Sequence, residues 1–187
     1  MPVRPILIYG EDVLHDHATE VRDFDQKLRD LVRDMFETMD AAPGVGLAAP
    51  QIGVGLRVFV FDYPDDEGNE RRGVAINPSL FITPTEVRET TSADDEGCLS
   101  FPGERYPLVR SETAILRAVD LEGAPFELVC DGWFARIMQH EFDHLNGVLY
   151  VDRLDEPFLK DAEKVMRKSG WGKPGNSWMP GEDDIDA

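Results

Sequence analysis

The sequence predicts an α+β fold in one domain, with antiparallel sheets packed around a central helix. Three observations carry that prediction. Residues 23–44, "DFDQKLRDLVRDMFETMDAAPG", place Leu28, Leu31, Val32, Met35, Phe36 and Met39 at helical three-four spacing. Residues 133–147, "WFARIMQHEFDHLNG", carry apolar residues throughout, with no glycine or proline before Gly147, where a C-terminal cap belongs. Between these two helices the chain reads as strands, and that grouping indicates antiparallel sheet with segregated helices.

The elements follow in order. After an irregular N-terminal arm, the first long helix takes Asp23 or Asp25 as its cap and stops at Pro43-Gly44. The next segment, "GVGLAAPQIGVG" (44–55), is small and glycine-rich and reads as a tight loop. It is a poor phosphate loop, because no Lys-Ser or Lys-Thr follows and the glycine spacing is wrong. "RVFVFDY" (57–63) is a buried strand, "PDDEGNERRG" (64–73) an exposed loop and "VAINPSLFITP" (74–84) a further strand region. "TAILRAVDLEGAPFELVCD" (113–131) is a hairpin turning at Glu122-Gly123. Its second strand alternates Phe126, Leu128 and Cys130 with Glu127 and Val129, which makes Cys130 a small core residue. A last helix begins after Asp155 and ends near Gly170. Phe158, Leu159, Ala162, Val165 and Met166 form its apolar stripe, and Lys160, Lys164, Arg167 and Lys168 gather opposite.

Composition narrows the function classes. A chain of 187 residues that is 42% hydrophobic can bury one sizeable core. The net charge of −18, from 37 acidic and 19 basic residues, disfavours non-specific binding to DNA or RNA by the surface as a whole. No signal peptide and no run of transmembrane length is visible, so a cytoplasmic protein without membrane contact is expected. Two cysteines in unlike surroundings do not suggest a disulfide framework.

The chemistry concentrates in "QHEFDHLNG" (139–147). Residues four apart on a helix are separated by about 40° around its axis, so His140 and His144 face one point and can chelate one ion. Glu141 lies about 100° further round, where its carboxylate reaches a water rather than the ion. A third ligand must be found elsewhere. The position six residues after His144 holds Tyr150, which excludes a third histidine there, and Glu163 sits in a charged, solvated stretch. Cys98 remains, bracketed by Gly97 and Pro102-Gly103 in "DDEGCLSFPG". With Cys98, His140 and His144 as ligands, one position stays open for water. Trp133, Arg136 and Ile137 lie one and two turns before His140 on the same side of the helix and are candidates for a substrate pocket. Glu96, Arg110 and Asp143 are candidates for a charge network that orients the ligands.

"GVGLAAPQ" (44–51), "EGCLS" (96–100) and "QHEFDHLNG" (139–147) resemble, in order, the three motifs of peptide deformylases, and "SGWGKPGNSWMPGED" (169–183) is similar to the ending of the actinobacterial type. The resemblance implies a catalytic domain over residues 1–155, with 156–187 as the C-terminal helix and tail of the same domain. It implies hydrolysis of the N-formyl group of formyl-methionyl nascent chains with release of formate. Gln51 and the backbone N–H of Leu99 would then bind the formyl oxygen, the Gly46 backbone would hydrogen-bond the peptide, and Arg105 would lie near it. Arg136 departs from the apolar residue more usual at the matching position. The resemblance points to Fe²⁺ in the cell, while a thiolate with two imidazoles also suits Zn²⁺, Ni²⁺ or Co²⁺ in purified protein. A zinc metallopeptidase of the His-Glu-x-x-His type is the rival enzyme, and a non-catalytic metal-binding module the rival from another class. If the substrate emerges from the ribosome, the stripe of Lys160, Lys164, Arg167 and Lys168 is a candidate contact for ribosomal RNA.

Overall fold

A computed structural model describes residues 3–64 and 68–183. The chain runs β1 (Ile6–Leu7), α1 (Asp12–His15), α2 (Gln26–Ala41), β2 (Gly46–Ala48), β3 (Val58–Asp62), β4 (Arg72–Ile82), β5 (Asp95–Cys98), β6 (Phe101–Pro107), β7 (Thr113–Val119), β8 (Pro125–Asp131), α3 (Gly132–Leu145), α4 (Phe158–Ser169) and β9 (Ser177–Trp178). Every sheet is antiparallel. Five strands form one sheet in the order β2-β3-β4-β7-β8, and β5-β6 and β1-β9 form two-stranded pairs.

The strand β3 shows why this sheet lies inside the molecule. Val58 and Val60 pack with α2 and β1, while Phe59 and Phe61 pack with α3, so the continuous apolar run is buried on both faces. Helix α3 lies against the second face through Phe134, Ala135, Ile137, Met138 and Leu145, and each large side chain buried there stabilises the fold by roughly 1.5–3 kcal/mol. Its other side faces β5 and β6, behind which Phe101, Tyr106 and Tyr150 join the apolar stripe of α4 in a third cluster. The central-helix architecture expected from the sequence is therefore the observed one.

Local chemistry sets the boundaries. Asp25 caps α2 by accepting from Leu28 N–H at 3.1 Å, and α3 ends at Asn146 with Gly147 in the left-handed region (φ +72°). In β4 the register shifts between Ile76 and Ser79, because Pro78 has no N–H to give the ladder. Two expectations need correction. The arm before α2 contains β1 and α1, and the glycine-rich segment is not merely a loop: Gly46–Ala48 is an edge strand, followed by a 3₁₀ turn at Ala49–Ile52. Pro50 suits the first turn of such a helix. Residues 65–67 of the exposed loop lie outside the described residues.

Candidate metal centre and active site

Helix α3 delivers three groups to one point. His140 and His144 stand one turn apart with ring centroids 4.9 Å from each other, and Glu141 lies beside them. The third donor comes from the end of β5, where the ladder slips between Gly97 and Cys98 and turns the cysteine toward the helix. Cys98 Sγ lies 3.3 Å from His144 Nε2, and the backbone N–H of Ser100 points at the same sulfur from 3.4 Å. One sulfur and two imidazole nitrogens fall within 4.8 Å of one another. That donor set fits a divalent transition metal, with thiolate and imidazole as preferred ligands.

Burial and neighbouring charges shift the titratable groups at this point. Burial opposes the charged form of both histidines, but Cys98 and Glu96 outweigh it and push His140 well above its usual pKa. At His144, burial is reinforced by His140 and Arg110, and the pKa falls well below the usual value. Burial pushes the Glu141 carboxyl up to about 7, with Glu96 adding to the shift and His140 and Arg110 opposing it. Glu141 Oε2 is buried without a hydrogen-bond partner among the described residues, which is unusual for a carboxylate unless a water or substrate is to meet it. Gly46 explains the approach: a β-carbon there would overlap the Glu141 carboxylate, so only glycine lets the edge strand pass so close.

Behind the donors, Glu96 Oε1 lies 2.6 Å from His140 Nδ1, leaving the other ring nitrogen for the metal. Arg110 donates to Glu96 at 2.7 and 3.1 Å and to Asp143 at 2.6 Å, and Asp143 also accepts from Arg153. Glu96, Arg110 and Asp143 thus form one buried network, as their charges suggested. Gln51 is fixed by its own loop. Its Oε1 accepts from Ala48 N–H at 2.8 Å, which turns Nε2 toward Ser100 Oγ at 3.2 Å and the Cys98 sulfur at 3.9 Å.

These groups close one end of a cavity of about 590 Å³. Gly46, Leu99, Trp133, Ile137 and Arg105 line it, with Arg105 exposed at the rim. Arg136 borders the cavity too, but its guanidinium is engaged by Glu96, Asp94 and the Leu108 carbonyl. Ser100, Asp94 and the α2–β2 turn (Pro43, Gly44 and Val45) are parts of the surroundings that sequence reasoning did not single out. Ser100 ends the "EGCLS" motif and Asp94 lies two residues before it, which was the signal for both. A larger open groove of about 990 Å³ runs past Arg110, Gln139 and Asp143, yet none of Cys98, His140, His144 or Glu141 lines it.

A buried sulfur and two imidazoles beside an unpartnered carboxylate, opening on a partly apolar cavity, define a metal-dependent hydrolase of the His-Glu-x-x-His kind. The three motifs and their order narrow this further. The chain belongs to the polypeptide deformylase family, whose model matches residues 3–159. It is 46% identical over 192 residues to the peptide deformylase of Tropheryma whipplei (strain TW08/27), covering 96% of this chain and 94% of that one. It is 48% identical over 192 residues to the peptide deformylase of Mycolicibacterium paratuberculosis, covering 97% and 96%. Among solved structures, a peptide deformylase from Legionella pneumophila superposes with a TM-score of 0.77 at 39% identity, covering 90% of this chain and 96% of that one. One from Synechococcus elongatus, in complex with actinonin, superposes with a TM-score of 0.78 at 37% identity, covering 91% and 88%.

Proposed function

We propose that this chain hydrolyses the N-formyl amide of the initiator N-formylmethionine on nascent polypeptides, releasing formate, through Cys98, His140, His144 and Glu141. The observation that carries the site assignment is the convergence of one sulfur and two imidazoles within 4.8 Å beside the unpartnered carboxylate of Glu141. Cys98, His140 and His144 would hold a divalent ion, which when bound would supply Lewis-acid activation of water and of the formyl carbonyl. Glu141 takes the proton from the attacking water and returns it to the departing amine as the C–N bond breaks. Gln51 Nε2 and the Leu99 N–H donate to the formyl oxygen as charge develops on it, each contributing about 3 kcal/mol. The Gly46 backbone bonds the peptide, Trp133, Ile137 and the Arg136 stem wall the pocket for the methionine side chain, and Arg105 meets the peptide at the rim.

The ion in the cell is Fe²⁺ in this reading, with Zn²⁺, Ni²⁺ or Co²⁺ in purified material. No helix among the described residues is long and apolar enough to cross a membrane, and we place the chain in the cytoplasm, where nascent peptides emerge. A ribosome contact through Lys160, Lys164, Arg167 and Lys168 belongs to the same reading, supported by their exposure on one face of α4. The assay that tests the function is formate release from formyl-Met-Ala alongside an unblocked peptide containing internal methionine. Formate without internal cleavage is expected, and internal cleavage without formate would favour the metallopeptidase.

A further inference from the structure

Arg136 stands one turn before His140 on α3, buried where an apolar side chain would pack more simply. Burying a guanidinium is unfavourable unless it is paired, and here the pairing is directional. Nη1 donates to Glu96 Oε2 at 2.9 Å and to the Leu108 carbonyl at 2.7 Å, Nη2 lies 3.4 Å from Asp94 Oδ1, and the guanidinium sits 4.9 Å over the Trp133 ring. Glu96 offers its other oxygen to His140 Nδ1. Asp94 is itself gripped by both terminal nitrogens of Arg88 at 2.7 Å, and also accepts from the N–H and hydroxyl of Thr91. The contacts therefore run unbroken from Arg88, on the segment between β4 and β5, through Asp94, Arg136 and Glu96 to His140.

We propose that Arg136 is a positioning residue, which fixes Glu96 to the same helical segment as His140 and so ties the 83–94 segment to the orientation of a metal-binding imidazole. The proposal rests on reading Cys98, His140 and His144 as the ligands. Arg110 also ties Glu96 to α3, through Asp143 three residues beyond His140, so Arg136 supplies the tie on the other side of the imidazole. Arg136 holds Glu96 from the turn that carries His140, because Arg136 and His140 lie four positions apart on one rigid helix.

The test uses the Co²⁺-loaded full chain, comparing parent, Arg136→Leu, Arg88→Gln and Thr85→Ala by chelator competition and visible absorption. Arg136→Leu should lose about 10- to 100-fold in Co²⁺ affinity and shift the ligand-field bands, as loss of a group that orients a ligand does. Arg88→Gln, whose side chain does not line the cavity, should shift both in the same direction by a smaller factor, and it decides the matter if Arg136→Leu does not fold. Thr85→Ala breaks only the Thr85–Ser111 hydroxyl contact of the same segment and should leave affinity and spectrum unchanged. Parental affinity and spectrum in folded Arg136→Leu and in Arg88→Gln would overturn the proposal, as would an equal change in Thr85→Ala. Failure of the parent to bind one Co²⁺, or an unchanged spectrum in Cys98→Ala, would instead overturn the ligand assignment.

Discussion

Cys98 and Cys130 are the same side chain in opposed surroundings. Cys98 meets His144, Ser100 N–H and Gln51, whereas Cys130 is buried in the apolar layer between the five-stranded sheet and α3. Burial, followed by the neighbouring Asp131 and opposed by Arg71, pushes the Cys130 thiol up to about 12, so it stays protonated and poorly suited to bind metal at neutral pH. Cys98→Ala should lose stoichiometric metal and activity together. Cys130→Ala should keep both and cost only roughly 1 kcal/mol of stability. Metal analysis beside thermal unfolding of the two variants checks this, and metal loss in Cys130→Ala alone would reverse the assignment. At this scale the chelating pair and Glu141 were legible because one helix sets their spacing, and Cys98 because rivals could be eliminated. The ion pairs of Arg136 were not legible, since its carboxylate partners Glu96 and Asp94 stand 40 and 42 positions away in the chain.

Among the elements, α4 joins two readings on its two faces. Its apolar stripe meets Tyr106, Tyr150 and Phe101, with Ala162 wholly buried. On the other face Lys160 pairs with Glu156, Lys164 with Asp161 and Arg167 with Glu163, at 3.0, 2.7 and 3.6 Å. Exposed pairs of this kind are worth about 0–1 kcal/mol each and open readily toward a polyanion. Changing Lys160, Lys164, Arg167 and Lys168 together to glutamine should weaken binding to ribosomes at low salt while hydrolysis of formyl-Met-Ala stays at the parental rate. Equal ribosome affinity for the two proteins would remove the contact from the account. Helices α2, α3 and α4 were legible because each carries an amphipathic period or a cap close to its ends. The strands β1, β2 and β9 were not, because two- and three-residue strands have no period to read and are specified by partners elsewhere.

Across the whole molecule, β9 pairs with β1 and reaches the active site. Trp178, in β9 against β1, donates its indole N–H to the Leu99 carbonyl at 2.8 Å, so the tail helps hold the residue whose N–H is assigned to the formyl oxygen. Trp178→Phe should keep the ring packing, cost about 1 kcal/mol for the lost hydrogen bond, and lower kcat more than it raises KM. A stability loss with kcat unchanged would confine the tail to a structural role. Such a contact over some eighty positions left no local signature, although the sequence of the tail resembled that of known deformylases.

The central claim is that a buried carboxylate moves a proton beside a metal held by Cys98, His140 and His144. Its most direct test is Glu141→Gln, which keeps the shape of the side chain and removes its basicity. Metal content and formyl-Met-Ala turnover are measured on the same preparation. The account predicts close to one ion per chain, as in the parent, with turnover lowered at least ~100-fold. Parental turnover in the metal-loaded Glu141→Gln protein would contradict it.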